Sequence, residues 1–205
     1  MNEADRLEKQ MNFCRELDTE KFIKRMTYLH DGIRRENDAE HAWHMAVMAI
    51  VLSEYSNEPI DLLKTLKMIL MHDVVEIDAG DTYAYDEKGK ETQAEREKAA
   101  AERLYGLLPD KQGDEYRSLF EEFEAGETAE ARFARTMDNM QPLMLQGMTN
   151  GKAWEENGVK LSQVLKRNER SKLGAEKLWE YTYENIIKKG VANGKLIDDV
   201  NDRFN

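Results

Sequence analysis

One stretch constrains this chain more than any other. Asn37-Asp38-Ala39-Glu40 opens a segment, His41 to Leu52, that is apolar nearly all round from Ala42 onward. An Asn followed three residues later by Glu is a capping box: the Asn side chain accepts from a free backbone N–H, and the Glu reaches back. A helix without a polar face must be covered by other elements. The spacing therefore predicts a central helix in a bundle. Its longest apolar stretch, Ala46 to Leu52, falls far short of the ~18–20 residues of a membrane span.

The other segments carry helical periodicity too, and only three prolines interrupt them. Residues 3–26 are expected to be helical, with Leu7, Met11, Cys14, Leu17, Phe22 and Met26 at roughly helical spacing. A third helix is expected from Asp61 to about Val75, with Leu62, Leu63, Leu66, Ile69 and Leu70 inward. Residues 79–91 break the period and read as a loop. Thr92-Gln93-Ala94-Glu95 reads as a second capping box, opening a helix to about Leu108. Further helices are expected over about 112–124, from a Thr128 cap to about Met148, and over about 170–189.

The length of 205 residues fits one domain, without internal repeats. A net charge of −11 argues against a nucleic-acid polymer as partner, because phosphate backbones are bound by displacing counterions with Lys and Arg. The single cysteine, Cys14, excludes an intramolecular disulfide and fits a reducing cytoplasm. It is expected half-buried in the first helix. The first residues, MNEADRLEKQMNF, lack the basic start and apolar core of a signal peptide.

Four residues on these apolar faces are polar. His41 opens the central helix, His72 and Asp73 end the third, and Asp138 shares a face with Ala131, Ala134 and Leu145. A buried carboxylate costs several kcal/mol unless it is paired or ligates a metal. Two imidazoles and two carboxylates from three helices would satisfy one another best around one divalent cation. Mixed N/O ligation suits Mn, Co, Fe, Zn or Mg. Each residue alone also has a plainer reading: a core histidine, a helix-end ion pair, or a partner of Arg132 or Arg135 for Asp138.

The order H…HD…D, within the stretches RRENDAEHAWHMA, MHDVVEIDAGDT and DNMQPL, resembles the HD superfamily of metal-dependent phosphohydrolases. It is most similar to the small bacterial branch related to 5′-deoxynucleotidases. The resemblance implies an all-α HD-domain helical bundle over residues 1–205. The metal-binding core would cover about 20–148, and a C-terminal helical appendage about 150–205. It implies His41, His72, Asp73 and Asp138 as metal ligands and Glu76 as the residue that helps activate water. Asp81, with its neighbour Thr82, would contact substrate near the sugar, and Arg25 would meet the phosphate. Where those relatives carry Trp after the Arg, Met26 stands here, which leaves sugar selectivity open. Relatives commonly pair, so a homodimer is expected. The C-terminal helix, with Leu173, Leu178, Trp179 and Ile186, offers apolar surface for it.

The expected activity is release of phosphate from a nucleoside 5′-monophosphate by metal-activated water. Glu76 would be general base, and Arg25, with Arg34 or Arg35, would pair with phosphate oxygens. Hydrolysis of a nucleotide triphosphate or phosphodiester, and a catalytically silent metal-binding module, remain alternatives. Four histidines make a dinuclear, oxygenase-type site a poor fit. His44 reads as a substrate contact or core histidine, Trp43 as packing, and Asp78 as a neighbour of the site.

Overall fold

Asn37 caps the central helix α2 (Asp38–Leu52) as predicted. Its side chain accepts from Glu40 N at 2.9 Å, and the Glu40 carboxylate accepts from Asn37 N at 3.1 Å. The computed structural model describes residues 1–200. It is an all-α bundle with one addition, a two-stranded antiparallel hairpin of β1 (Lys24–Tyr28) and β2 (Arg35–Asn37). Lys24 lies opposite Asn37 and Tyr28 opposite Arg35, with an irregular register between. The chain passes straight from β2 into α2, so the hairpin carries Arg25 to the mouth of the central helix.

The hairpin corrects the first expected helix. α1 (Glu3–Glu16) is shorter than 3–26, a 3₁₀ turn covers Leu17–Phe22, and the strand follows. Of α1, only Phe13 is buried; Leu7, Met11 and Cys14 are exposed. Five residues of alternating side chains are too few to stand out against helical periodicity. The first core cluster joins Met45 and Ala49 of α2, Met68 and Ile69 of α3 (Leu62–Met71), and Phe133 and Met137 of α7 (Ala129–Met148). On α3 the buried stripe is Thr65, Met68 and Ile69, whereas Leu63 and Leu70 face solvent. α2 is not covered all round. Trp43 (66% exposed), Val47, Ile50 and Val51 form a bare apolar face, so Trp43 is not core packing.

A second cluster packs Val74 and Val75 against α5 (Glu87–Tyr105) and α6 (Lys111–Ala125). α5 is capped six residues before the expected Thr92 box. Asp86 is the cap, accepting from Lys88 N and Gly89 N at 3.1 Å each. An Asp followed by charged residues gave no apolar onset by which to place that start. Thr128 caps α7 as expected.

After residue 150 the chain is helical in short pieces: α8 (Lys152–Glu156), α9 (Leu161–Arg167), α10 (Ser171–Gly174), α11 (Glu176–Thr182), a π turn over Tyr183–Ile187, and α12 (Lys188–Ala192). Trp154, Val164, Ile187 and Leu196 form a third cluster with Leu143 of α7. Leu178 is buried, and Trp179 and Ile186 pack on these clusters, so of the four residues expected to offer free apolar surface only Leu173 is exposed. No helix among the described residues is long and apolar enough to cross a membrane.

Candidate metal centre

α3 ends at Met71, and a 3₁₀ turn, His72–Val75, leads into α4 (Glu76–Ala79). The turn and the first residue of α4 bury five successive residues, His72 to Glu76. His72 Nδ1 donates to the Ile69 carbonyl at 2.8 Å; a carbonyl only accepts, so the ring proton sits on Nδ1. That leaves the Nε2 lone pair, buried and without a hydrogen-bond partner, 2.9 Å from Asp73 Oδ1 and 3.9 Å from Asp138 Oδ1.

His41 is held the same way from another direction. Gln141 of α7 donates through Nε2 to Glu36 Oε2 at 2.8 Å and to His44 Nδ1 at 3.1 Å. These two acceptors orient the amide, so Gln141 Oε1 accepts from His41 Nδ1 at 2.8 Å. The His41 Nε2 lone pair then faces Asp138 Oδ1 at 3.2 Å and Asp73 Oδ2 at 3.9 Å. On α7, Pro142 lacks the N–H that would otherwise bond the Asp138 carbonyl.

The structure thus brings His41, His72, Asp73 and Asp138 to one point. His41, His72 and Asp73 each place a ligand atom within 4.8 Å of one another. Two imidazole lone pairs and two carboxylates repel unless a positive charge stands between them, and this donor set fits a divalent cation. The field there has the matching sign. Burial alone would lower the His72 pKa, but Asp73 and Asp138 outweigh it and raise it to about 9. Burial opposes ionisation of Asp73 and Asp138 too. The His72 and Arg25 charges still hold Asp73 below its ordinary range, and Arg167, with the two histidines, does the same for Asp138.

A second acidic group, Asp38, Asp73 and Glu76, shares Asp73 with the first. A cation already serves it: Arg25 Nη1 lies 3.1 Å from Asp73 Oδ2 and 3.3 Å from Asp38 Oδ1. Glu76 is buried and its Oε2 has no partner. Burial, then Asp73, Asp38 and Asp81, push the Glu76 carboxyl well above its ordinary range against the opposing Arg25 charge. Asp38 is pushed up to about 7 by burial and Asp73.

Arg25, Glu76, Asp81 and Thr82 all line one cavity with Asp73 and Asp138, open to solvent. Thr82 Oγ1 accepts from Arg96 at 2.7 Å. Arg34 and Arg35 do not reach the cavity. Arg34 forms a two-pronged pair with Glu40, and Arg35 stands over the Tyr28 ring at 5.4 Å. Asp78 is held away by Arg103 at 2.7 Å. The partner of Asp138 is Arg167, at 2.9 Å, rather than Arg132 or Arg135.

Sequence reasoning missed Asp38, Glu36, Gln141 and Arg167. Asp38 was hidden inside a capping box and Arg167 in a segment without a motif. For Gln141, three residues after Asp138 on a core face, the signal existed: it is another polar residue where an apolar one is expected.

Histidines and carboxylates gathered from three separate helical segments, beside a buried glutamate and arginine, define a helical metal-site protein. The HD domain sequence profile matches residues 17–179, and the chain belongs to the HD domain family. It is similar to the 5′-deoxynucleotidase HDDC2 of Xenopus laevis, 31% identical over 125 residues, which cover 60% of this chain and 61% of the relative. To HDDC2 of Homo sapiens it is 28% identical over 135 residues, 65% of each chain. The chain thus spans somewhat under two thirds of the length of these curated relatives. It is also similar to a crystal structure from Magnetospirillum magnetotacticum MS-1 described as a predicted metal-dependent phosphohydrolase. That match has 45% identity and a TM-score of 0.90, and covers 94% of this chain and 96% of that one.

Proposed function

We propose that this chain is a metal-dependent phosphohydrolase that releases phosphate from a nucleoside 5′-monophosphate. The observation that carries the reading is the convergence of His41, His72, Asp73 and Asp138 beside Glu76 and Arg25 in one open cavity. The names borne by its relatives support the substrate class. A divalent cation held by the four side chains supplies Lewis acidity toward water and a phosphoryl oxygen. Mn, Co, Fe, Zn and Mg all accept this donor set.

The chain's own residues do the rest. Glu76 takes the proton of the attacking water at Oε2, the oxygen left without a partner. The guanidinium of Arg25, anchored by Asp38 and Asp73, turns its free N–H groups to the phosphate oxygens. Asp81 and Thr82 contact the sugar side, and Tyr83, Tyr85 and Trp154 give the cavity apolar walls for a base. A merely structural metal would not need Glu76 buried and unpartnered beside it.

We also assign the partner: a second copy of this chain, docked through the bare α2 face. Trp43, Val47, Ile50 and Val51 repeat at helical spacing, and one helix crossing its own copy about a two-fold axis buries such a stripe on both sides. The lone Cys14 and the net charge of −11 support work in a reducing cytoplasm on small nucleotides rather than on nucleic-acid polymers.

Release of inorganic phosphate from nucleoside mono-, di- and triphosphates, with Mn²⁺, Co²⁺ and Mg²⁺, tests the reading. Turnover of monophosphates is expected. Turnover confined to triphosphates or diesters, or none with any metal, overturns it.

A further inference from the structure

Beyond Asp138 lies a second concavity, separate from the metal cavity but sharing Arg135, Asn139 and Arg167 with it. Five cations line it, Arg132, Arg135, Lys166, Arg167 and Arg170, against one acid, Glu169. That is unusual in a chain with 30 basic and 41 acidic residues. Arg132 is neutralised by Glu58 at 2.8 Å and Arg167 by Asp138 at 2.9 Å. Among the described residues, Lys166 and Arg170 pair with no carboxylate, and Arg135 only weakly, with Glu124 at 3.5 Å.

Two guanidiniums are fixed in place by the end of α6. Arg135 Nη1 donates to the carbonyls of Phe123 and Glu124 at 3.1 and 3.2 Å, and Arg170 Nη2 donates to the Gly126 carbonyl at 3.0 Å. Gly126, left-handed at φ 62°, lets Arg135 approach closely: a β-carbon there would lie 3.0 Å from Arg135 Cδ. Capping a helix end uses one nitrogen of each fork and, among the described residues, leaves the other donors without protein acceptors. Ser171, nearly buried, accepts from Asn139 Nδ2 at 3.1 Å. Lys90, on the metal-cavity side, has its pKa lowered by burial and by the Arg167 and Lys166 charges, against a raising contribution from Glu87. Repulsion among these cations is therefore not fully relieved within the protein.

We propose that this cleft is an anion site for a di- or triphosphate group, beside the metal centre and reached past Arg167. Planar forks held by backbone carbonyls suit the tetrahedral, multiply charged oxygens of such a group. Its source is either the additional phosphates of a nucleotide seated in the metal cavity or a separate oligophosphate ion.

Inorganic tripolyphosphate, titrated calorimetrically into the protein with excess EDTA, tests the site without a metal to attract the probe. One equivalent is expected to bind. Lys166→Ala with Arg170→Ala should weaken binding by about tenfold or more, since hydrogen bonds to charged groups contribute at that level. Lys166→Ala alone, which removes no side-chain hydrogen bond or ion pair among the described residues, should weaken it severalfold; Arg25→Ala should leave it unchanged. No binding to the parent, or binding lost in Arg25→Ala and kept in the Lys166 and Arg170 variants, overturns the proposal. Monophosphate hydrolysis with saturating metal identifies the source. Competitive inhibition by a nucleoside triphosphate that weakens in the double variant marks the additional phosphates of a nucleotide seated in the metal cavity. A change in kcat caused by tripolyphosphate and lost in the double variant marks a separate ion.

Discussion

His41 Nδ1 and Gln141 Oε1 lie 2.8 Å apart, joined across 100 residues of sequence. This contact fixes which imidazole nitrogen carries the proton, and so which one faces Asp73 and Asp138. Replacing Gln141 by Leu removes the acceptor and frees the tautomer. Loss of such an outer partner typically lowers metal affinity about 10–100-fold. Competition with a fluorescent chelator measures it, and affinity within twofold of the parent would show that the amide does not orient His41.

Glu76→Gln keeps the shape of the side chain but removes its ability to accept a proton. The expected loss in kcat is about 10²–10⁴, with metal still bound. If Glu76 only supports the turn after α3, kcat falls less than about tenfold, and Asp38, in the same acidic group, becomes the group to examine.

Asp73→Ala and Asp138→Ala should each abolish turnover and metal binding. In the parent, a cation at 100 times its dissociation constant stabilises the fold by about 2.7 kcal/mol, so EDTA should lower Tm. In the two variants EDTA should change nothing. An EDTA-insensitive parent would contradict a cation held by these residues.

Much of this site was legible in the sequence because its cost is local. A polar residue on an apolar helix face announces itself, and His41, His72, Asp73 and Asp138 all did. What stayed hidden depended on tertiary approach. The strand carrying Arg25 reads like the tail of α1, because its neighbour β2 lies beyond a loop and contributes only three residues. Arg167 sits in an ordinary basic helix end and gains meaning only where α9 meets Asp138. α2 misled in the other direction, since apolarity on every side was read as burial on every side.

Trp43→Glu tests what covers that face. Light scattering at micromolar concentration should report a dimer for the parent and a monomer for the variant, with the fold intact by circular dichroism. A monomeric parent, or a variant that still pairs, removes α2 as the interface.

The central claim is one cation at one four-residue centre, with Arg25 taking the place of a second metal between Asp38 and Asp73. Elemental analysis of protein saturated with Mn²⁺ and freed of unbound ion measures it directly. The account predicts one equivalent per chain in the parent and none in Asp138→Ala. Two equivalents in the parent, or one retained in Asp138→Ala, would contradict it.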